Sequence, residues 1–429
     1  MRLIQGTEHE YTLFCRKMDS RGVDPHQVAL ELLRKSDLHC AGEFMSNQSR
    51  AYLDCGHLEI STCEVSNFMD MVRWEKAGEK IVDWLRKKAE QLYLDDSRIR
   101  AYKNNTAPDG TSYGSHENYC VDRKVQFPER YAAELGPHLV TRFIYTGAGD
   151  IIDGRYVLSP SAYLTAMMVS GDTMHDTGVI NTRDEALAGE RFRRLHVQVG
   201  DALMNETAIM LRHFTTSHVI KLMELDMLED APQMASPLED LWHNVEQTNP
   251  DKWKVTLKGG KVVSPVDIQE YYLGKLEAVA GDGDSKRALK TLEGVLGGLR
   301  EKRTKDCARR VEWLDRYLAI GKEKEAAGDD PDIEMKACKR YSEIGEERGI
   351  YYRRQREGLV DRVLSDKDIL DAVRNPPGDT RAHLRGALCE KGGVEYISWD
   401  TVVLMKGDKR KKFVLEDPYE SGPDGAKEA

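Results

Sequence analysis

The chain has 429 residues, of which 32% are charged, and its formal net charge at pH 7 is −10. This length allows a large core and more than one domain, and the acidic balance argues against a general nucleic-acid-binding protein. No run approaches the ~20 apolar residues of a membrane span and the N-terminus lacks an apolar signal core, so we expect a cytoplasmic protein without a membrane segment.

The first predicted strand carries two acidic side chains on one face. Residues 6–12 read GTEHEYT, and side chains alternate along a strand, so Glu8 and Glu10 lie on the same side. A helix is predicted to follow, because Asp24 and Pro25 precede a run of leucines and proline suits the first helical turn.

The stretch RAYLDCGHLEISTCE, which begins at Arg50, concentrates ionisable side chains. Arg50, Tyr52 and Asp54 share one face of a predicted strand, Gly56 marks a turn or bulge, and Glu59 follows on a second polar run. Clustered carboxylates indicate a shared cation or a raised pKa, and oxygen ligands favour Mg²⁺, which commonly bridges to phosphates. We interpret these strands as a nucleotide–metal platform. The alternative is a pair of ordinary edge strands with solvated charges.

Further candidates follow a predicted helix over residues 65–93, where apolar side chains recur at helical spacing. Residues 108–110, Pro-Asp-Gly, predict a hairpin turn, after which His116 opens a cluster of polar side chains. Farther along, Arg183 and His196 are candidates to hold anionic oxygens. The alternative for Arg183 is a surface ion pair with a neighbouring carboxylate.

The second half of the chain is predicted to be mainly helical from about residue 201 to 360. Strands recur only after the Asn-Pro-Pro-Gly-Asp segment at 375–379. The eight cysteines form no CxxC pair, which favours free thiols over a zinc site. A Walker-A motif and a GxGxxG fingerprint are also absent, so any nucleotide site is of another type.

Several motifs together carry a family resemblance. They are GTEHEY (6–11), RAYLD (50–54), KNN (103–105), SYGSHENY (112–119), INTRDE (180–185), RRLHV (193–197), DTR (379–381) and SWD (398–400). The chain resembles the family of Pup ligases and Pup deamidases (depupylases), related to proteasome accessory factor A. The resemblance implies an α+β fold similar to glutamine synthetase, in which a curved antiparallel sheet cradles ATP and is backed by helices. It also implies a catalytic domain at 1–360 and a small C-terminal domain at 361–429 that completes the nucleotide site.

The resemblance assigns roles to individual residues. The magnesium positions are Glu8, Tyr52 and Glu59, to which clustering adds Glu10. The nucleotide positions are Arg50, Thr62 and Trp399, and Asp54 matches the catalytic aspartate. Apart from the resemblance, the sequence itself leads us to expect phosphate or modifier contacts from Arg183, His196, His116 and Arg193.

The implied activity is ATP-dependent ligation of Pup, or a Pup-like modifier, to lysines of target proteins. The segment 11–49, between the strand with Glu8 and Glu10 and the strand that begins at Arg50, is short, as it is in the ligases. The motifs at 6–8 and 398–400 are instead more similar to those of the deamidases. A depupylase without the long insertion is therefore one alternative. A catalytically silent Pup-binding scaffold is another, and Asp54 argues against it. Arg191, Arg193 and Arg194 are the candidate docking patch for the acidic modifier.

Overall fold

The computed structural model describes residues 2–92, 98–107, 110–172, 175–327 and 330–428. The predicted hairpin turn at 108–110 falls partly outside these residues. Within the described part of the chain, no helix is long and apolar enough to cross a membrane.

The strands belong to one large sheet and three small ones. In chain order they are β1 (Gln5–Phe14), β2 (His39–Ala41), β3 (Phe44–Met45), β4 (Arg50–Asp54), β5 (His57–Ser61), β6 (Arg100–Tyr102), β7 (Ser115–Asp122), β8 (Asp150–Ile152), β9 (Arg155–Val157), β10 (Met167–Ser170), β11 (Gly178–Asn181), β12 (Phe192–Val197), β13 (Val255–Thr256), β14 (Val262–Val263), β15 (Val394–Ile397), β16 (Thr401–Lys406), β17 (Lys409–Val414) and β18 (Lys427–Glu428).

The large sheet has the order β10-β11-β12-β7-β1-β5-β4-β3-β2, and β6 pairs with the far end of β1. Neighbouring strands are antiparallel except β10 and β11, which are parallel. The predicted sheet backed by helices is confirmed, and this edge pair makes it a mixed sheet. Its central strands are the two acidic strands β1 and β5 and the histidine-bearing strand β7.

The helices are α1 (Arg16–Asp19), α2 (Pro25–Arg34), α3 (Phe68–Leu92), α4 (Gly136–Thr141), α5 (Phe143–Thr146), α6 (Pro160–Leu164), α7 (Glu206–Glu224), α8 (Pro237–Val245), α9 (Pro265–Leu276), α10 (Gly283–Arg300), α11 (Thr304–Cys307), α12 (Glu312–Ala327), α13 (Ile333–Tyr341), α14 (Ile350–Arg356), α15 (Asp366–Arg374) and α16 (Arg381–Glu390). The helices predicted after Asp24 and over 65–93 are confirmed as α2 and α3.

Helices α2, α3 and α7 cover one face of the large sheet. Tyr11 of β1 and Ile60 of β5 are buried against Ile81 of α3 and Leu30 of α2, and β7 and β12 pack toward α7 through Tyr119 and its neighbours. Burying such side chains stabilises the fold by about 1.5–3 kcal/mol each. Because side chains alternate along strands, this packing leaves the polar positions of β1, β4 and β5 on the opposite face.

A network of buried charges lies between the sheet and its helices. Glu75 of α3 is fully buried and contacts Arg212 Nη2 at 2.6 Å, His213 Nε2 at 2.7 Å and Lys103 Nζ at 3.3 Å. It also contacts His9 Nε2 at 3.1 Å, and His9 lies between the two acidic residues of β1. The network therefore supports the back of the strand that presents those carboxylates.

The C-terminal sheet, β15-β16-β17-β18, packs on α16 around a small core of its own. That core contains Leu384 and Leu388 of α16 with Val402 and Leu404 of β16. Helix α15 packs instead toward α3, where its Ala372 joins Trp74 and Ala77. The domain boundary at 361 stays a prediction.

Candidate active site

The hairpin of β4 and β5 brings the polar residues of the central motif into register. Its two-residue turn has positive φ at Cys55 (48°) and Gly56 (89°), the combination that suits the twist of a tight hairpin. Tyr52 consequently lies opposite Glu59, and Asp54 opposite His57. The turn predicted at Gly56 is confirmed.

Strand β1 pairs with the other edge of this hairpin and adds its two acidic residues to the same face. Glu10 lies opposite Glu59 of β5, and Glu8 lies opposite His116 of β7. Gly114 permits this close approach, because a Cβ there would lie 2.9 Å from Glu10 Oε1. Antiparallel pairing thus assembles residues from three distant motifs.

Glu10, Asp54 and Glu59 form a cluster of carboxylates, with ligand oxygens within 4.8 Å of one another. Burial and the neighbouring carboxylates raise the pKa of Glu59 to about 7, although its hydrogen bond from the Tyr52 hydroxyl opposes the shift. His57 Nδ1 lies 2.6 Å from Glu10 Oε2. This oxygen-only set fits a hard divalent cation such as Mg²⁺, which would relieve the repulsion.

A second cluster joins Glu8, His116 and His196, again with ligand atoms within 4.8 Å. His196 is only 6% exposed, and neither of its ring nitrogens has a hydrogen-bond partner in the part of the chain that the structure describes. Burial lowers the pKa of His196 to about 3, so its ring is neutral and can act as a ligand. This carboxylate–imidazole set also fits a divalent cation.

A cavity of about 290 Å³ adjoins these clusters. Arg50, Arg193 and Arg194 line it, and the Nε of each is buried without a hydrogen-bond partner among the described residues, as is Asn118 Oδ1. The terminal nitrogens of the three guanidinium groups contact carboxylates, namely those of Glu43, Asp184 and Glu8. Buried polar atoms in proteins are normally hydrogen-bonded, so these atoms leave hydrogen-bonding capacity for a ligand in the cavity. Guanidinium groups suit phosphate oxygens in particular.

Aromatic side chains form another wall of the cavity. Trp399 makes an edge contact with Phe44 at 5.1 Å between ring centroids, and the Arg50 guanidinium lies 5.7 Å from the Trp399 ring. Thr62 also lines the cavity, and its hydroxyl accepts a hydrogen bond from Thr7 N at 2.9 Å. A flat apolar group could stack here beside the arginines.

The structure does not bring every predicted residue into the site. Arg183 is exposed and pairs with Glu185 at 2.8 Å, the surface ion pair considered as the alternative. Arg191 is also exposed and pairs with Asp122 at 3.2 Å. Arg193 in contrast lies in the cavity wall.

Sequence reasoning misses two residues beside the site as functional candidates. Arg381 lines the cavity and pairs with Glu64 at 2.7 Å, and its place in the DTR motif was the available signal. His57 contacts Glu10, as described above. Only the hairpin register could have indicated that contact.

Comparison with known proteins shows which family this chain resembles. The model of the family described as Pup-ligase protein matches residues 3–403. A Pup–protein ligase of Kribbella flavida is 32% identical over 443 residues, covering 98% of this chain and 97% of the relative. A Pup–protein ligase of a Nocardioides species is 34% identical over 444 residues, covering 97% and 96%.

Two solved structures are similar along nearly their whole length. One is the ligase PafA in complex with the prokaryotic ubiquitin-like protein Pup, with a TM-score of 0.86 and 27% identity over 99% of this chain and 91% of that chain. The other is PafA in complex with ADP, with a TM-score of 0.80 and 26% identity over 94% and 92%. The resemblance seen in the motifs is thereby confirmed, and the chain belongs to the Pup-ligase family.

Proposed function

We propose that this protein is an ATP-dependent ligase that joins the C-terminal glutamate side chain of Pup, or a Pup-like modifier, to lysines of target proteins. The observation that carries the proposal is the position of Asp54, within a carboxylate cluster beside a cavity lined by three arginines whose Nε atoms have no hydrogen-bond partner among the described residues. Phosphoryl transfer needs positioning and charge neutralisation, and this arrangement supplies both.

ATP would occupy the cavity with its phosphates toward Arg50, Arg193 and Arg194. Trp399 would contact the adenine, and Thr62 would line the same pocket, so residues 361–429 would complete the nucleotide site as a small domain. The exposed Arg183 would contribute little.

Mg²⁺ would be held by the two clusters, through Glu8, Glu10, Tyr52 and Glu59, with His116 and His196 beside Glu8. When bound, it would neutralise phosphate charge during transfer to the modifier's carboxylate. Tyr52 serves there as a neutral ligand or donor, because burial and the nearby Glu59 raise the pKa of its phenol.

Asp54 would then act on the incoming lysine. The exposed side of the cluster, where Asp54 lies, is open to a protein substrate. A carboxylate there can bind the lysine ammonium and accept its proton as the amine attacks the γ-glutamyl phosphate, which releases phosphate and forms the isopeptide bond.

The direct test is a reaction with ATP, Mg²⁺, a lysine-bearing target and modifiers ending in glutamate or glutamine. We expect conjugation of the glutamate-ended modifier with stoichiometric ADP release. Hydrolysis of the glutamine-ended modifier or of preformed conjugates, without conjugation, would instead identify a depupylase. Binding of the modifier without either reaction would identify a scaffold.

Glu8→Ala should abolish Mg²⁺-dependent ATP binding, because it removes the carboxylate that β1 contributes to the cluster with His116 and His196. Titration calorimetry with ATP, with and without Mg²⁺, measures this loss. Glu31→Ala on the exposed side of α2 is the matched control and should bind as wild type does. If Glu8→Ala keeps wild-type, Mg²⁺-dependent affinity, the proposed metal role is wrong.

Arg191→Glu should weaken binding of an acidic modifier by about two- to fivefold at low salt, as expected for an exposed charge. The effect should shrink as ionic strength rises, because exposed charges are then screened. Fluorescence anisotropy of a labelled modifier over a salt series measures it. Lys88→Glu, exposed on α3, is the control, and identical affinities for Arg191→Glu and wild type at every salt concentration would exclude this part of the docking patch.

A further inference from the structure

Two cysteines from opposite ends of the chain meet where the large sheet contacts α16. Cys40 lies in β2 and Cys389 in the last turn of α16, and both are partly exposed free thiols. Gln48 bridges the two elements, because its Nε2 lies 3.6 Å from Cys40 Sγ and its Oε1 accepts a hydrogen bond from Arg385 Nε at 3.1 Å.

Helix geometry places Cys389 on the same surface. It follows Arg385 by one turn, so the two side chains lie on one face of α16, directed at Gln48 and β2. Close packing at this point is also seen at Gly386, where a Cβ would lie 3.5 Å from Gln48 Cγ. Cys40 and Cys389 therefore flank Gln48 on the facing surfaces of β2 and α16.

We propose that Cys40 and Cys389 form a reversible disulfide when the protein encounters a peroxide. The Cys40 thiolate attacks one peroxide oxygen, so that an S–O bond forms, the O–O bond breaks and water leaves after protonation. Cys389 then attacks the sulfenic sulfur, which forms the S–S bond, breaks the S–O bond and releases a second water. The two thiols lose two electrons in total, and hydrogen peroxide gains them.

The surroundings favour this order of steps. The interaction with Cys389 lowers the pKa of Cys40 to about 7, and Gln48 and Arg385 add to the shift although burial opposes it. The same interaction raises the pKa of Cys389. Because Gln48 Nε2 lies 3.6 Å from Cys40 Sγ and can donate a hydrogen bond to its thiolate, we take Cys40 as the nucleophile and Cys389 as the resolving thiol.

The bridge would tie the edge of the large sheet to the helix that supports the cavity wall. Arg385 of α16 donates to the backbone carbonyl of Trp399 at 2.7 Å, so a cross-link one turn away restrains that wall. A disulfide between such distant residues also restricts the unfolded chain strongly, which should raise the melting temperature.

Peptide mass spectrometry on the full chain tests the proposal. The protein is treated with hydrogen peroxide, free thiols are alkylated, and the protein is digested without reduction. We expect a Cys40–Cys389 cross-linked peptide, lighter than the sum of its parts by two hydrogen atoms and separated by dithiothreitol. Peroxide should also raise the wild-type melting temperature by a few degrees.

Three variants make the result specific. Cys389→Ser and Cys389→Ala should form no cross-link and gain no thermal stability, whereas Cys120→Ser, which keeps both partners, should behave as wild type does. The wild-type digest alone decides the matter if a variant fails to fold. Sulfinic acid on Cys40 without a cross-link, or a cross-link to another cysteine, would overturn the proposal.

Discussion

Asp54→Asn is expected to bind ATP and the modifier normally yet to form isopeptide bonds at least about 100-fold more slowly. A target lysine has a reference pKa of about 10.4 and is almost entirely ammonium at pH 7, so it cannot attack until it loses a proton. General-base assistance is typically worth about 10²–10⁴-fold in rate. Asparagine preserves the shape of the side chain but cannot accept that proton.

A pulse–chase assay of modifier transfer to lysine, combined with calorimetry of ATP binding, separates binding from catalysis. Asp37→Asn, an exposed aspartate outside the site, is the matched control and should conjugate at the wild-type rate. Conjugation by Asp54→Asn at the wild-type rate would show that Asp54 is not the base. If ATP binding is lost as well, Asp54 contributes to the metal cluster more than to proton transfer.

The face of the sheet that carries the candidate site could be predicted from the alternation of side chains along the strands alone. Glu8 and Glu10 share a side of β1, as do Arg50, Tyr52 and Asp54 of β4, because strand geometry fixes this without knowledge of the partners. The resemblance then supplied the partners. Of the residues that it identified, the sheet brings Glu8, Tyr52, Asp54 and Glu59 to one face, whereas Trp399 reaches the cavity from the C-terminal region.

The pairing of the strands could not be predicted from local pattern. His57 contacts Glu10 only because a two-residue turn sets the β4–β5 register and β5 then pairs with β1. His196 similarly reaches Glu8 through β7, which separates their strands. Such contacts depend on strand order, which hydrophobic periodicity does not encode.

Arg183 and the buried charge network behind the sheet show two other reasons why the sequence alone does not predict the site. Arg183 has a site-like sequence context but lies beyond the end of β11, where it is exposed to solvent. Glu75 is the reverse case, because an acidic residue in an amphipathic helix is normally expected to be exposed, whereas Glu75 is buried. Its burial depends on cations from distant parts of the chain, Arg212 of α7 and Lys103, which follows β6.

Glu75→Ala is expected to destabilise the protein by about 3–5 kcal/mol, because it leaves buried cations without their main partner. Glu75 is the common acceptor for Arg212, His213 and Lys103, as described for the network. Burial alone would raise its pKa, but these cations hold the pKa of Glu75 well below the usual 4.5. Its stabilising contribution is therefore present above pH 4.5 and is lost only on acidification below that value.

Chemical denaturation followed by circular dichroism at pH 6 and pH 7 measures the effect, which should be the same at both pH values. Glu75→Gln keeps the shape and one acceptor, so it should fall between Glu75→Ala and wild type. Glu325→Ala, exposed on α12, should change stability by less than about 0.5 kcal/mol. Glu79 lies 3.3 Å from Lys103 Nζ, and Glu117 lies 4.0 Å from Arg212 Nε. A wild-type denaturation midpoint for Glu75→Ala would mean that these two carboxylates can neutralise the cations without Glu75. In that case the network would not be the support for β1 and its two acidic side chains.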